Sequence, residues 1–217
     1  MPSVNKKPAV LLSTSYLAPV QYYTKLISYE HIYIEYFENY SKQSYRNRCT
    51  IQSTNGSLDL SIPVTKESVL KVLTKDVRID NNSRWKQMHI RALESAYRSS
   101  PYFLYYADDL LALYEKNYTF LVDLNNDFQK TILKFMNVEV DIQFTSNYKE
   151  LPFLFDDFSD YIHPKKRMKK PDNDFNPKNY YQVFETRFGF VTNLCIADLL
   201  FNMGPNSLEI LKNSIKT

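Results

Sequence analysis

The order of patterns between residues 9 and 36 constrains this chain more than any other feature. Residues 9–12, Ala-Val-Leu-Leu, are a short apolar run that reads as a buried strand. The polar loop Ser13-Thr14-Ser15-Tyr16-Leu17-Ala18-Pro19 leaves it. Residues 20–28 then set Val20, Tyr23, Leu26 and Ile27 at helical spacing, with Pro19 near the helix start, where its missing N–H does no harm. Residues 31–36, His-Ile-Tyr-Ile-Glu-Tyr, alternate and are rich in β-branched and aromatic side chains, which predicts a second strand. Strand, helix and strand within roughly 30 residues make a βαβ unit. A right-handed crossover puts the 13–19 loop and the segment after Tyr36 together at the carboxyl edge of the sheet, the usual ligand-binding end.

Residues 49–52 and 58–63 flank Ser53-Thr54-Asn55-Gly56-Ser57, and Asn-Gly between alternating runs predicts a tight hairpin because the turn needs positive φ. Residues 65–74 read as a connector and Val77-Arg78-Ile79 as a further short strand. Asn82 or Ser83 is placed to cap a helix running through Ser100, with Trp85, Met88, Ala92, Leu93 and Ala96 on one face. Two more helices are expected over 102–114 and 117–136, an edge strand over 138–145 and a strand-like segment over 180–184. A helix over 194–202, stopped by Gly204-Pro205, precedes a last helix capped by Asn206 or Ser207. The expected fold is α/β: a short, mostly parallel sheet from an N-terminal βαβ unit plus a β-hairpin, packed with several C-terminal helices. A single domain over 1–217 is expected, with a mobile loop at about 156–178.

Glycine excludes two phosphate-binding devices. Gly56, Gly189 and Gly204 are isolated, so neither a Walker A loop nor a GxGxxG fingerprint exists. His31, His89 and His163 have no ligand spacing, so no metal and no cofactor is expected. Cys49 and Cys195 belong to no CxxC pattern and read as free thiols. The net charge of +3 is too small to indicate nucleic acid. The run Lys165, Lys166, Arg167, Lys169, Lys170 lacks interleaved aromatics and reads as a solvated loop. The 18 Tyr and 14 Phe must be partly buried, with the tyrosine hydroxyls on polar partners or water. No run approaches the ~20 apolar residues of a membrane span. The first residues lack an apolar core and cleavage site of the secretory kind, so a cytoplasmic protein is expected.

Chemistry concentrates in two stretches. The first, Tyr40-Ser-Lys-Gln-Ser-Tyr-Arg-Asn-Arg48, packs Lys42, Arg46 and Arg48 among Tyr45, Asn47 and other neutral donors, with no carboxylate from Asn39 to Leu58. It is suited to receiving an anion, although exposed hairpin edges also carry Lys and Arg to prevent edge pairing. The second runs from Asp80 to Tyr97 and holds Trp85, His89 and Arg91. His89 there is a general base, an anion contact or a satisfied core residue. Asp198, in an apolar helix, should be paired if buried, with an arginine as one partner.

These stretches resemble the WbqC-like family. The resemblance is carried by Tyr16-Leu17-Ala18-Pro19 with Tyr22, by Lys42-Gln-Ser-Tyr-Arg-Asn-Arg48, and by Leu60-Ser-Ile-Pro-Val64. It continues through Ile79-Asp80, Trp85, His89, Arg91, Ala96-Tyr97 and Ser100-Pro-Tyr-Phe103, then Phe188-Gly-Phe, Asn193-Leu and Asp198-Leu-Leu-Phe-Asn202-Met-Gly204. The family's namesake lies in a bacterial surface-polysaccharide gene cluster, which implies work on a nucleotide-activated or amino sugar. The resemblance implies His89 and Asp80 as catalytic candidates, and Lys42, Tyr45, Arg46, Asn47, Arg48, Trp85, Arg91 and Tyr97 as substrate-binding ones. Many members begin the first loop with a His-Gln-Pro or His-Pro element where this chain has Ser13-Thr14-Ser15. If that histidine is catalytic, this chain lacks the activity or uses His89. Two functions follow: a transferase-type enzyme taking a small anionic metabolite or nucleotide-sugar, with Arg46 removable without unfolding, or a non-enzymatic binding or assembly protein for an anionic partner.

Overall fold

The computed structural model describes residues 6–69, 71–152, 154–165, 168 and 170–216. The βαβ unit forms as the periodicity predicts: β1 (Lys7–Ser13), α1 (Val20–Ser28) and β2 (Tyr29–Glu35). β1 and β2 pair in parallel, with Val10 opposite Ile32, Leu12 opposite Ile34 and Ser13 opposite Glu35. β5 (Asp141–Phe144) adds to the outer side of β2 and the two-residue β6 (Asp156–Asp157) to the outer side of β1. The sheet order is β5-β2-β1-β6 and every pair is parallel.

Alternation along β1 divides its side chains between two layers. Val10 and Leu12, with Ile32 and Ile34, enter the main core. Ala9 and Leu11 join Tyr33 in a second, smaller cluster covered by Leu151 and Phe155. Replacing the fully buried Leu12 by Ala would therefore cost about 2–5 kcal/mol.

The hairpin, β3 (Arg48–Ser53) and β4 (Gly56–Ser61), is a separate antiparallel sheet. Gly56 sits at φ +109° in its turn, a conformation L-residues rarely adopt. Its base is tied to the core by Ile62 N–H to the Asn47 carbonyl at 2.8 Å and Cys195 N–H to the Thr50 carbonyl at 2.9 Å.

The helical part consists of α2 (Trp85–Tyr97), α3 (Phe103–Leu111), α4 (Leu121–Phe135), the short α5 (Glu185–Phe188), α6 (Ile196–Met203) and α7 (Ser207–Asn213). Several local expectations are corrected. Residues 77–79 make only isolated bridges, Val64 to Ile79 and Arg78 to Phe120. Asn82 and Ser83 do not cap α2: the helix begins at Trp85, so Arg84 stands at the N-cap position, without a side-chain bond, and Asn82 and Ser83 lie in the preceding turn. Met88 is 67% exposed, since it falls well round the helix from the buried Trp85–His89–Leu93–Ala96 stripe. Neither Asn206 nor Ser207 makes a capping bond at α7, and residues 180–184 form turn and coil.

Residues 156–178, expected as a loop, contain β6 and are pinned to the body at several points. Lys25, 2% exposed, donates to Asp172 at 2.7 Å and lies over the Phe158 ring at 4.4 Å. Gln21 Nε2 donates to the other Asp172 oxygen at 2.8 Å. In the basic run, Lys166, Arg167 and Lys169 lie outside the described residues, as do residues 1–5; Lys170 stacks on Tyr161 at 4.5 Å. Among the described residues, no helix is long and apolar enough to cross a membrane.

Candidate functional site at the carboxyl end of the sheet

Parallel strands point their carboxyl ends one way, so the loops after β1 and β2 gather at one edge. A small cavity lies there, lined by Ser13, Thr14, Ser15, Tyr22, Tyr45, Arg46, Phe158, Ser159 and Ile162. Three separated segments build it: the 13–19 loop, the chain after β2, and the segment after β6. Backbone bonds register them. Tyr16 N–H donates to the Tyr45 carbonyl at 2.8 Å, Phe158 N–H to the Leu11 carbonyl at 2.8 Å, and Ser13 Oγ to the Ser159 carbonyl at 2.6 Å.

Arg46 is the buried cation of this edge. Its Nε donates to Glu38 Oε1 at 2.6 Å, and its Nη2 to Glu38 Oε2 at 2.5 Å and Ser13 Oγ at 2.9 Å. Asp160 Oδ1 stands 3.5 Å from Nη2, on a side chain that is 62% exposed. Burial lifts the Glu38 carboxyl above its ordinary value, while Arg46 and Ser13 pull it back by bonding the ionised form. Arg46 is held fully protonated by Glu38 against its own burial. With Glu38 balancing Arg46, the exposed Asp160 gives this edge an acidic rim.

His163 is the second polar group of this segment. It is 6% exposed, accepts the Lys165 backbone N–H on Nδ1 at 3.0 Å, and has no partner at Nε2 among the described residues. Burial, Arg46 and Lys165 push its pKa down, with Asp160 opposing.

The residues singled out from sequence occupy four places. Tyr45 and Arg46 line the cavity. Asn47 and Arg48 serve the hairpin: Asn47 Nδ2 donates to the Ile62 carbonyl at 2.8 Å, and Arg48 bonds Ser61 Oγ and Asp59, each at 3.1 Å. Trp85, His89 and Tyr97 are the buried face of α2. Lys42 and Arg91 are exposed, and Asp80 is half-buried in its turn.

His89 sits in an aromatic cage, 5.2 Å from Trp85 and 6.1 Å from Tyr114 between ring centroids. Its Nδ1 is 2.9 Å from the Tyr16 hydroxyl, which also contacts the Tyr114 hydroxyl. Burial lowers its pKa to about 4, against a backbone bond to Ser61. Tyr16 links it to the cavity loop, but the ring is not part of the cavity lining. Asp198 is not paired with an arginine: Tyr180 Oη and Gln182 Nε2 donate to it at 2.7 and 3.2 Å, and burial lifts it to about 6. Among the described residues no cluster of His, Cys, Asp and Glu could hold a metal.

Glu38, Ser13, Asp160 and His163 were absent from the sequence-derived set. Glu38 lies one residue before the carboxylate-free stretch, eight before Arg46, and was within reach of inspection. Asp160 and His163 arrive from more than 110 residues beyond Arg46, a juxtaposition with no local sequence signal.

A parallel sheet with a separate hairpin and helices packed on it makes this an α/β protein. The sequence model of the WbqC-like protein family matches residues 14–153, and the chain belongs to that family. It is also similar to the uncharacterized protein Rv1507c of Mycobacterium tuberculosis, 24% identical over 231 residues covering 95% of this chain and 98% of the relative. No solved structure matches. The family match ends at 153, so Phe158, Ser159, Asp160, Ile162 and His163 lie beyond the matched residues.

Proposed function

We propose that the recess at the carboxyl end of β1, whose roughly 10 Å³ of free space admits one hydroxyl or amine group rather than a whole ring, is a contact point for a small hydroxylated metabolite, and that the protein is a transferase-type enzyme acting on a nucleotide-activated or amino sugar. The observation that carries this reading is the convergence of three distant segments on one recessed polar site: Ser13 and Ser15, Tyr45 and Arg46, and Ser159. Hydroxyls suit a sugar's oxygens. With Arg46 already balanced by the buried Glu38, the exposed carboxylate of Asp160 suits an amine or hydroxyl at this spot better than a phosphate. WbqC-like membership supports a role around activated sugars.

A second reading, a non-enzymatic binding protein, is favoured by two facts: Arg46 is committed to Glu38, and His89 to the core. A thermal-shift screen against nucleotides, nucleotide-sugars and amino sugars, followed by turnover assays with candidate acceptors, separates the two. The enzyme reading expects stabilisation by a sugar-bearing probe, turnover, and roughly tenfold weaker binding in Ser15→Ala, which removes one hydroxyl from the lining. Binding without turnover favours the second reading, and a flat screen rejects the small-molecule site.

A further inference from the structure

We propose that two copies of this chain join antiparallel along the outer edge of β5, across a two-fold axis at Ile142, so that their two sheets run into one. β5 ends the order β5-β2-β1-β6, and no described strand pairs with its far side. Thr145 N–H donates to the Ile34 carbonyl at 3.1 Å. Backbone groups of successive residues point alternately to the two sides of a strand. Asp141 and Gln143 therefore face β2 as Thr145 does, and the N–H and C=O of Ile142 and Phe144 face outward. Those outward groups have no partner among the described residues. Residues 141–144 hold neither the Lys nor the Pro that commonly blunts such an edge.

The surface beside this edge matches a strand like β5 itself. α4 ends where the Val138 and Asn137 N–H groups bond the Leu133 and Lys134 carbonyls, each at 3.0 Å, with Asn137 at φ +51°. The chain turns back there, and a cleft of about 470 Å³ opens between helix and strand. Leu133, Val140 and Ile142 give it an apolar wall, and the exposed Lys130, Lys134 and Glu139 surround them, the pattern of an interface core with a polar rim. Residues 138–144, Val-Glu-Val-Asp-Ile-Gln-Phe, alternate apolar and polar. With Ile142 opposite its own copy, Phe144, 43% exposed, falls opposite Val140 of the second copy, on the side that lines the cleft. Asp141 then falls opposite Gln143 of the second copy, whose amide is a donor to it. Moving the axis to Asp141 sets like charges face to face, and moving it to Gln143 sets Val140 against Ser146, beyond the end of β5. One register thus satisfies hydrogen bonds, apolar contact and charge together, and it is self-complementary, as a two-fold interface requires.

Sedimentation equilibrium of the whole chain tests this, and should show a reversible monomer–dimer equilibrium in the micromolar range. Ile142→Pro deletes an outward N–H and no bond to β2, and should give a monomer with wild-type circular dichroism. Two variants at Gln143 read the register even if that proline prevents folding. Gln143→Lys, which brings a cation to Asp141 of the second copy, should tighten the dimer about fivefold, and Gln143→Asp should loosen it about fivefold. Ile142→Cys should form a reducible covalent dimer with oxidised glutathione, since a hydrogen-bonded antiparallel pair sets its Cα atoms about 5.5 Å apart. A wild type that stays monomeric would overturn the pairing and leave the edge to a strand of another protein. A dimer that persists in folded Ile142→Pro, or that is indifferent to both charges at 143, would overturn it by placing the interface elsewhere.

Discussion

Arg46 grips both oxygens of Glu38, from Nε at 2.6 Å and Nη2 at 2.5 Å, with the two side chains 5% and 7% exposed. An arginine that the sequence offers for an external anion is thus occupied by an internal one. Fork-to-carboxylate geometry at this burial is the strongest form such a pair takes, and its consequence is for stability first. Arg46→Ala would leave Glu38 buried and uncompensated, a loss of about 3–5 kcal/mol. Replacing both partners, Arg46→Met with Glu38→Leu, should recover most of it. Urea denaturation of the single and double variants measures this; a single variant within about 1 kcal/mol of wild type would show that Glu38 rehydrates or protonates freely.

His89 and Asp198 make opposite contributions to the pH dependence of stability. His89 is held at about 4, below its ordinary 6.5, so the folded state prefers the neutral ring; that stability is present above 6.5 and is lost as pH falls toward 4. Asp198 is lifted from 3.8 to about 6, so the folded state prefers the protonated carboxyl; that stability is present below 3.8 and is lost as pH rises toward 6. Relative to wild type, His89→Gln should therefore lose less stability on acidification from 6.5 to 4. Asp198→Asn should lose less on raising pH from 4 to 6. Each difference is at most about 3 kcal/mol, and denaturation series across this range read both signs.

The Lys25–Asp172 pair should govern how tightly residues 158–175 hold to the body. Its side chains are 2% and 4% exposed, so Lys25→Met leaves a buried carboxylate and should cost about 3–5 kcal/mol. Hydrogen exchange should quicken in residues 158–175 before it does in β1 and β2. Uniform acceleration across the chain would mean that this segment unfolds only with the whole.

Two glycines separate backbone strain from collision. Gly56, at φ +109°, has open space where a Cβ would stand, whereas at Gly204, φ +52°, a Cβ would overlap the Tyr102 ring. Gly56→Ala should cost about 1–2 kcal/mol through the backbone alone. Gly204→Ala should cost clearly more, because the contact reaches the Cγ end of the ring, which moves least. Thermal melts of the two variants make the comparison.

Those elements that announce themselves by periodicity were legible in the sequence. The alternation of residues 31–36, the helical spacing of 20–28 and Asn55-Gly56 all correspond to β2, α1 and the hairpin turn. β6 was not legible because Asp156 and Asp157 carry no apolar signal; they become a strand by pairing with Val10 and Leu11. The cavity's place at the sheet edge followed from topology, and Tyr45 and Arg46 are on its wall. His163 and Asp160 were not foreseeable, since nothing near Arg46 in sequence indicates that the chain returns to it. Asn82 and Ser83 have capping chemistry, yet α2 begins at Trp85 and leaves both outside the N-cap position.

The distance between Lys25 and Asp172 also sets an order of events during synthesis. The two are 147 residues apart in sequence, so at about 5–20 residues per second the lysine emerges roughly 7–30 s before its counter-ion is made. Until then an unpaired ammonium on the inner side of α1 favours keeping that helix hydrated. Full burial of Lys25 against the body therefore waits for Asp172, although the βαβ unit that carries the lysine is made long before it.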